Sequence, residues 1–115
     1  MALTIAFLKH FLLSLFYASP LILFLILTII ILGQRIGRRE GWSRGDALYF
    51  SFITATTVGY GDFRPKTNRS KLIAISIAFV GLLLTGIVVG IGVHAAQQAF
   101  VQTVDLNEIK TLESL

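Results

Sequence analysis

Thr56-Thr57-Val58-Gly59-Tyr60-Gly61-Asp62 is the stretch on which the reading of this chain turns. Two glycines alternate there with β-branched and aromatic residues, a pattern that makes a poor helix and a poor strand interior. Glycine permits backbone angles that other residues avoid, so consecutive carbonyls can all be aimed to one side. Just upstream, Ala47-Leu48-Tyr49-Phe50-Ser51-Phe52-Ile53-Thr54-Ala55 is apolar, too short to cross a bilayer and too apolar to lie in water. Ser43-Arg44-Gly45-Asp46 opens a helix before it, with serine as N-cap and an acidic residue three positions on. The length fits a re-entrant helix that enters a membrane and returns on the same side.

Outward from this unit lie two uncharged runs. Phe11–Leu32 has 22 residues without a charge, matching the roughly 20 needed to cross a bilayer as a helix. It is apolar all round near its end, which suits a helix facing lipid, and Pro20 predicts a kink that a membrane helix tolerates. A cleaved signal peptide is a poorer reading, because Gln34-Arg35-Ile36-Gly37-Arg38-Arg39 follows where a small-residue cleavage site would stand. The second run, Leu72–Val104, has 33 residues. As a helix it would approach 50 Å against a hydrocarbon core of roughly 30 Å. It must tilt or leave the membrane, and His94, Gln97, Gln98 and Gln102 make its last part polar enough to leave.

Composition narrows the function classes. The chain has 115 residues, 55% hydrophobic and 14% charged, against about a quarter charged in soluble domains. With no cysteine there is no disulfide framework, thiolate metal site or thiol nucleophile. His10 and His94 lie far apart and have no carboxylate or histidine at ligand spacing. The net charge of +4 could suggest nucleic acid. Its basic residues flank apolar spans, however, and contact with anionic lipid headgroups explains them better. Asp62 is the one acidic residue at a candidate site, with no base, nucleophile or metal set around it, so an enzyme is not expected.

Irregular backbone at membrane depth is tolerated only when buried in protein or lining a watery cavity. A ring of carbonyls can replace the hydration shell of a cation, and one chain cannot close a ring. At this point the sequence resembles the prokaryotic potassium-channel family, including its calcium-gated and pH-gated members. Thr57-Val58-Gly59-Tyr60-Gly61 matches the family's filter signature, with Ala55-Thr56 before it, Asp62 after it and Pro65 three residues later. The resemblance implies an all-α membrane protein, a homotetramer around a central pore. Its expected parts are an N-terminal interfacial segment over 1–10, a pore domain over 11–104 and a cytoplasmic tail over 105–115. Within the pore domain it implies an outer helix over about 11–34, a pore helix over about 44–55, a filter at 57–61 and an inner helix over about 70–100.

Residue by residue, the resemblance implies K+ sites at the carbonyls of Thr57, Val58, Gly59 and Tyr60, with the Thr57 hydroxyl closing the inner end and Gly61 shaping the outer mouth. Bound K+ is the only cofactor expected. Thr56, Asp62, Tyr49 and Phe50 support the filter, the last two bracing the packing into which Val58 and Tyr60 point. Ile53 stands where some members carry a glutamate that pairs with the aspartate after the filter, so Asp62 lacks that carboxylate partner. The negative end of the pore-helix dipole, near Ala55, would face the cavity and favour a waiting cation.

On the inner helix, Gly81 matches the family's gating-hinge glycine. Glycine in a helix costs up to about 1 kcal/mol relative to alanine and so needs a reason, either bending or close helix packing. Gly86 and Gly90 form a small-xxx-small pair, read as packing or pore width. Leu82, Thr85, Gly86, Val89, Gly90 and Val93 are the expected inner pore lining.

Two tensions accompany the resemblance. It implies a multi-pass cell-membrane protein with both termini cytoplasmic, yet eight of ten Lys and Arg residues lie between the spans, which by charge count makes the loop cytoplasmic. Many members carry a soluble regulatory domain after the inner helix, and residues 105–115 are too short for one. That leaves a minimal channel or a truncated pore. Beside a potassium channel stand two other readings: a weakly selective cation channel, and a non-conducting membrane assembly protein.

Overall fold

A computed structural model describes every residue, Met1–Leu115, and consists of three helices without a strand. α1 spans Ala2–Glu40, α2 spans Arg44–Ala55 and α3 spans Asn68–Glu113. α1 and α3 are long and apolar enough to cross a membrane, and only 11% of the most apolar window of each is buried. The core helix of a water-soluble protein would be mostly covered; here Phe16, Phe24 and Phe79 stand open on these helices.

Both long helices outrun the expected bounds. At 39 and 46 residues they measure about 58 and 69 Å by helical rise, twice the hydrocarbon core or more. α1 starts at Ala2 because residues 1–10 contain no glycine or proline to prevent it. It ends where Gly41 takes φ 74 and the Trp42 N–H donates to the Gly37 carbonyl at 2.9 Å. That bond is the six-to-one closure of a glycine-terminated helix, and the signal was Gly41 after Arg38-Arg39. α3 continues past Val104 because no glycine or proline follows Gly92 to stop it. Inside α1, Pro20 lacks the N–H that would reach the Phe16 carbonyl. The Ser19 hydroxyl supplies the missing donor at 2.7 Å, which keeps that acceptor satisfied where lipid offers no water.

The chain forms two compact units, each drawing on α1 and α3. One comprises Met1–Ser19 with Ile87–Leu115. There Ala6, Ala95 and Ala99 are buried, Gly92 lies against Phe11, and the His10 ring is bonded to the Gln102 amide oxygen at 2.9 Å. Small residues at 92, 95 and 99 give a helix the flat face on which a neighbour can approach closely.

The other unit, Pro20–Gly86, holds the core and the candidate site. Ile29, Ile36, Phe50, Ala55 and Ile77 form its buried cluster. Small residues decide its packing. A Cβ on Gly33 would fall onto the Ser51 hydroxyl, and one on Gly37 would come within 2.6 Å of the Ala47 Cβ. Gly33-xxx-Gly37 on α1 thus seats Ala47-xxx-Ser51 on α2, and the buried Ser51 hydroxyl is satisfied by the Ala47 carbonyl at 2.8 Å.

Glu40 closes the unit. Its Oε1 accepts the N–H groups of Lys66 and Thr67 at 2.8 and 3.2 Å, while the Thr67 hydroxyl caps α3 by accepting the Ser70 N–H at 3.2 Å. Glu40→Ala leaves two amides without their acceptor. Amide hydrogen exchange at Lys66 and Thr67 is expected to quicken severalfold, and Glu40→Gln, which keeps an oxygen, to quicken it less.

Candidate functional site

The site grows out of the C-terminal end of α2. Ser43, with φ −67 and ψ 163, caps the other end by accepting the Asp46 N–H at 3.1 Å, as the sequence anticipates. A helix end leaves its last carbonyls without intrahelical donors. Here the backbone that follows supplies them: Thr56 N–H to Phe52 at 3.0 Å, Thr57 N–H to Thr54 at 3.2 Å and Gly59 N–H to Ile53 at 3.0 Å. The segment after α2 is thereby moored to it by its amides.

Its carbonyls are another matter. Those of Thr57, Val58, Gly59 and Tyr60 accept no hydrogen bond within the chain, whereas the next, Gly61, accepts from Arg64 Nε at 3.1 Å. Positive φ recurs at every second residue, at Thr57 (66°), Gly59 (55°) and Gly61 (83°). Alternating handedness of this kind turns successive peptide groups toward one side. Thr57 is the one non-glycine residue so placed. For a β-branched side chain that conformation is an outlier, with a cost of about 1–3 kcal/mol.

The supporting residues are only partly gathered around this segment. Phe50 is buried against Trp42, ring centroids 5.0 Å apart, and Trp42 and Tyr49 both meet Phe63, at 5.3 and 6.1 Å. Val58 and Tyr60 are 51% and 71% exposed, with no such ring partner in their own chain. Asp62 accepts the Phe63 N–H at 3.2 Å. Desolvation first, then the neighbouring Asp62 carboxylate, holds the Tyr49 phenol above its ordinary pKa. With Ile53 in the family's glutamate position, the hydrogen-bond donor to Asp62 is the Phe63 amide.

On α3, Gly81 meets the end of α2. A Cβ there would fall onto the Ala55 carbonyl oxygen and 2.5 Å from the Ala55 Cα. Close packing is therefore a sufficient reason for this glycine. Gly86 and Gly90, by contrast, have nothing within 4 Å of an added Cβ. With Leu82, Thr85, Val89 and Val93 they are exposed in the chain, at the helical spacing of a single stripe.

Sequence reasoning missed Trp42, Phe63, Gly33, Gly37, Glu40 and Arg64. The glycine pair was readable as a small-xxx-small spacing. Trp42, the sole tryptophan, sits between the glycine stop of α1 and the Ser43 cap. Glu40 carried no local signal, since its partners lie 26 and 27 residues downstream.

A family model described as "Ion channel" matches residues 4–98. The chain is 38% identical over 79 residues to probable potassium channel protein 2 of Methanocaldococcus jannaschii, covering 64% of this chain and 23% of that protein. It is 51% identical over 41 residues to two-pore potassium channel 1 of Arabidopsis thaliana, 36% of this chain and 11% of that one. A hyperpolarization-activated voltage-gated potassium channel of M. jannaschii is 50% identical over 44 residues, 36% and 21%. The chain thus spans under a quarter of the length of each of these relatives. No solved structure matches it.

Proposed function

The chain belongs to the ion-channel family, and from that premise we propose that it is one subunit of a potassium-selective pore. The observation that carries the proposal is the run of four donor-free carbonyls, Thr57 to Tyr60, on a backbone of alternating φ sign. In the proposed pore each carbonyl becomes one member of a fourfold ring, and successive rings take the place of the hydration shell of K+. The Thr57 hydroxyl closes the inner end of the stack, and Gly61 shapes the outer one.

Four copies are needed because a single chain contributes one side of each ring. The exposure of Leu48, Phe52, Val58 and Tyr60 supports this, since side chains that lack cover in one chain have room to pack on the next. The exposed stripe of Leu82, Thr85, Gly86, Val89, Gly90 and Val93 lines the pore below the filter in this reading. Gly81 serves as the point where α3 both packs on Ala55 and bends. Both termini lie in the cytoplasm, which puts the arginines at the end of α1 at the opposite surface.

Purified protein in liposomes tests the proposal. Under opposed potassium and sodium gradients the reversal potential is expected to follow potassium. A tenfold preference corresponds to about 1.4 kcal/mol in favour of one ion, and a potassium filter should exceed it. A potential indifferent to which cation is replaced would reduce the proposal to a weakly selective cation pore. No current from assembled protein would reduce it to a scaffold.

A further inference from the structure

Resting on that pore reading, the geometry points to Arg64 as a cationic collar: four guanidinium groups, one per subunit, that hold the Gly61 carbonyls and slow the passage of cations into the filter from the Asp62 end. Arg64 Nε donates to the Gly61 carbonyl at 3.1 Å. Its Nη2, Nε and Cζ stand 3.4, 3.5 and 3.9 Å from where a Gly61 Cβ would be, so the guanidinium lies against the bare face of that glycine. Tyr60, immediately before it, carries the last of the four donor-free carbonyls. The charge therefore sits at the outer end of the proposed filter, one residue beyond the four carbonyls, on an exposed side chain.

Nearby carboxylates do not outweigh it. Asp62, which accepts the Phe63 N–H, and Glu40, which accepts the amides of Lys66 and Thr67, both keep their negative charge. Exposed Lys66 and Arg69 on the same segment offset them in number, which leaves the Arg64 guanidinium as the net charge at the mouth. Arginine stays charged at any physiological pH. A ring of like charge at a mouth lowers the local cation concentration there, and so slows passage inward from that side while leaving departure toward it little changed. The effect is electrostatic and screened by salt, with a Debye length of about 30 Å at 0.01 M and about 3 Å at 1 M.

Single channels of the full chain in symmetric KCl provide the test. At about 0.01 M, current entering from the Arg64 side is expected to be about threefold smaller than current leaving by it, and the two to become equal at about 1 M. R64Q should remove the asymmetry at low salt. R64K, which keeps the charge but has no Nε, should retain it. Arg64→Cys, treated from one compartment with a negatively charged, impermeant thiol reagent, identifies the facing side and should reverse the asymmetry. Because it compares the same channel before and after modification, it decides the matter even where R64Q assembles poorly. Equal currents in the wild type at low salt, or an asymmetry that survives R64Q, overturn the collar while the pore reading stands. Wild-type protein that passes no potassium overturns both.

Discussion

Exchange of Gly59 for alanine is expected to abolish potassium-selective current while leaving an assembled membrane protein. Gly59 takes φ 55 and has nothing within 4 Å of an added Cβ. Space is therefore not the obstacle; backbone conformation is. An L-residue in left-handed geometry is disfavoured by roughly 1–2 kcal/mol, and a tetramer repeats this four times around one ring. The Gly59 N–H is also committed to the Ile53 carbonyl, so relaxing φ pulls on the end of α2. Potassium over sodium selectivity should fall by more than tenfold, about 1.4 kcal/mol, or current should vanish. Size-exclusion chromatography of the same sample should show an unchanged oligomer. Wild-type selectivity in Gly59→Ala would remove residues 57–61 from the conduction path.

Gly81→Val is expected to fail for the opposite reason. The residue is helical, and its difficulty lies wholly in what it touches: the Ala55 carbonyl oxygen, with the Ala55 Cα at 2.5 Å and carbonyl carbon at 2.7 Å from an added Cβ. Those are backbone atoms, which cannot turn away as a side chain can. Overpacking costs about 1–3 kcal/mol where side chains can adjust, and a rigid neighbour with two further methyl groups raises it. The expected result is little assembled protein and a lowered thermal midpoint in mild detergent, with Gly81→Ala intermediate. Gly86→Ala, which meets nothing in its own chain, should leave the fold of a single chain intact. A Gly81→Val protein as stable as wild type would mean that α3 does not require this close approach.

These two glycines also show what the sequence could and could not convey. The irregular backbone over 57–61 was legible because its cause is local: consecutive residues, alternating glycines and a helix too short to span. The start of α2 was legible too, since Ser43 and Asp46 sit three apart and form the bond that the spacing implies. The ends of the long helices were not, because polarity marks where a helix leaves the membrane and not where it stops. Gly81 was read as a hinge or a packing residue, and it took the position of Ala55 to supply the packing. Tyr49 was placed as a brace for Val58 and Tyr60, whereas within the chain its ring meets Phe63. Glu40 lay beyond any local rule, because what it does depends on the return of a loop from the far side of the filter. A single chain likewise cannot express what four would cover, and so Val58 and Tyr60 stand bare.

The four carbonyls without donors have a meaning for folding as well as for transport. An acceptor shut away from water and left unpaired costs roughly 1–3 kcal/mol, so the four in each subunit come to about 4–12 kcal/mol. That rivals the 5–15 kcal/mol that holds a typical domain together. In the proposed pore the cargo is therefore also mortar. A potassium ion in transit completes a valence that the polypeptide leaves open, and its departure must be answered by the arrival of another. The traffic and the architecture then share one equilibrium, in which the segment keeps its native shape for as long as it is being used.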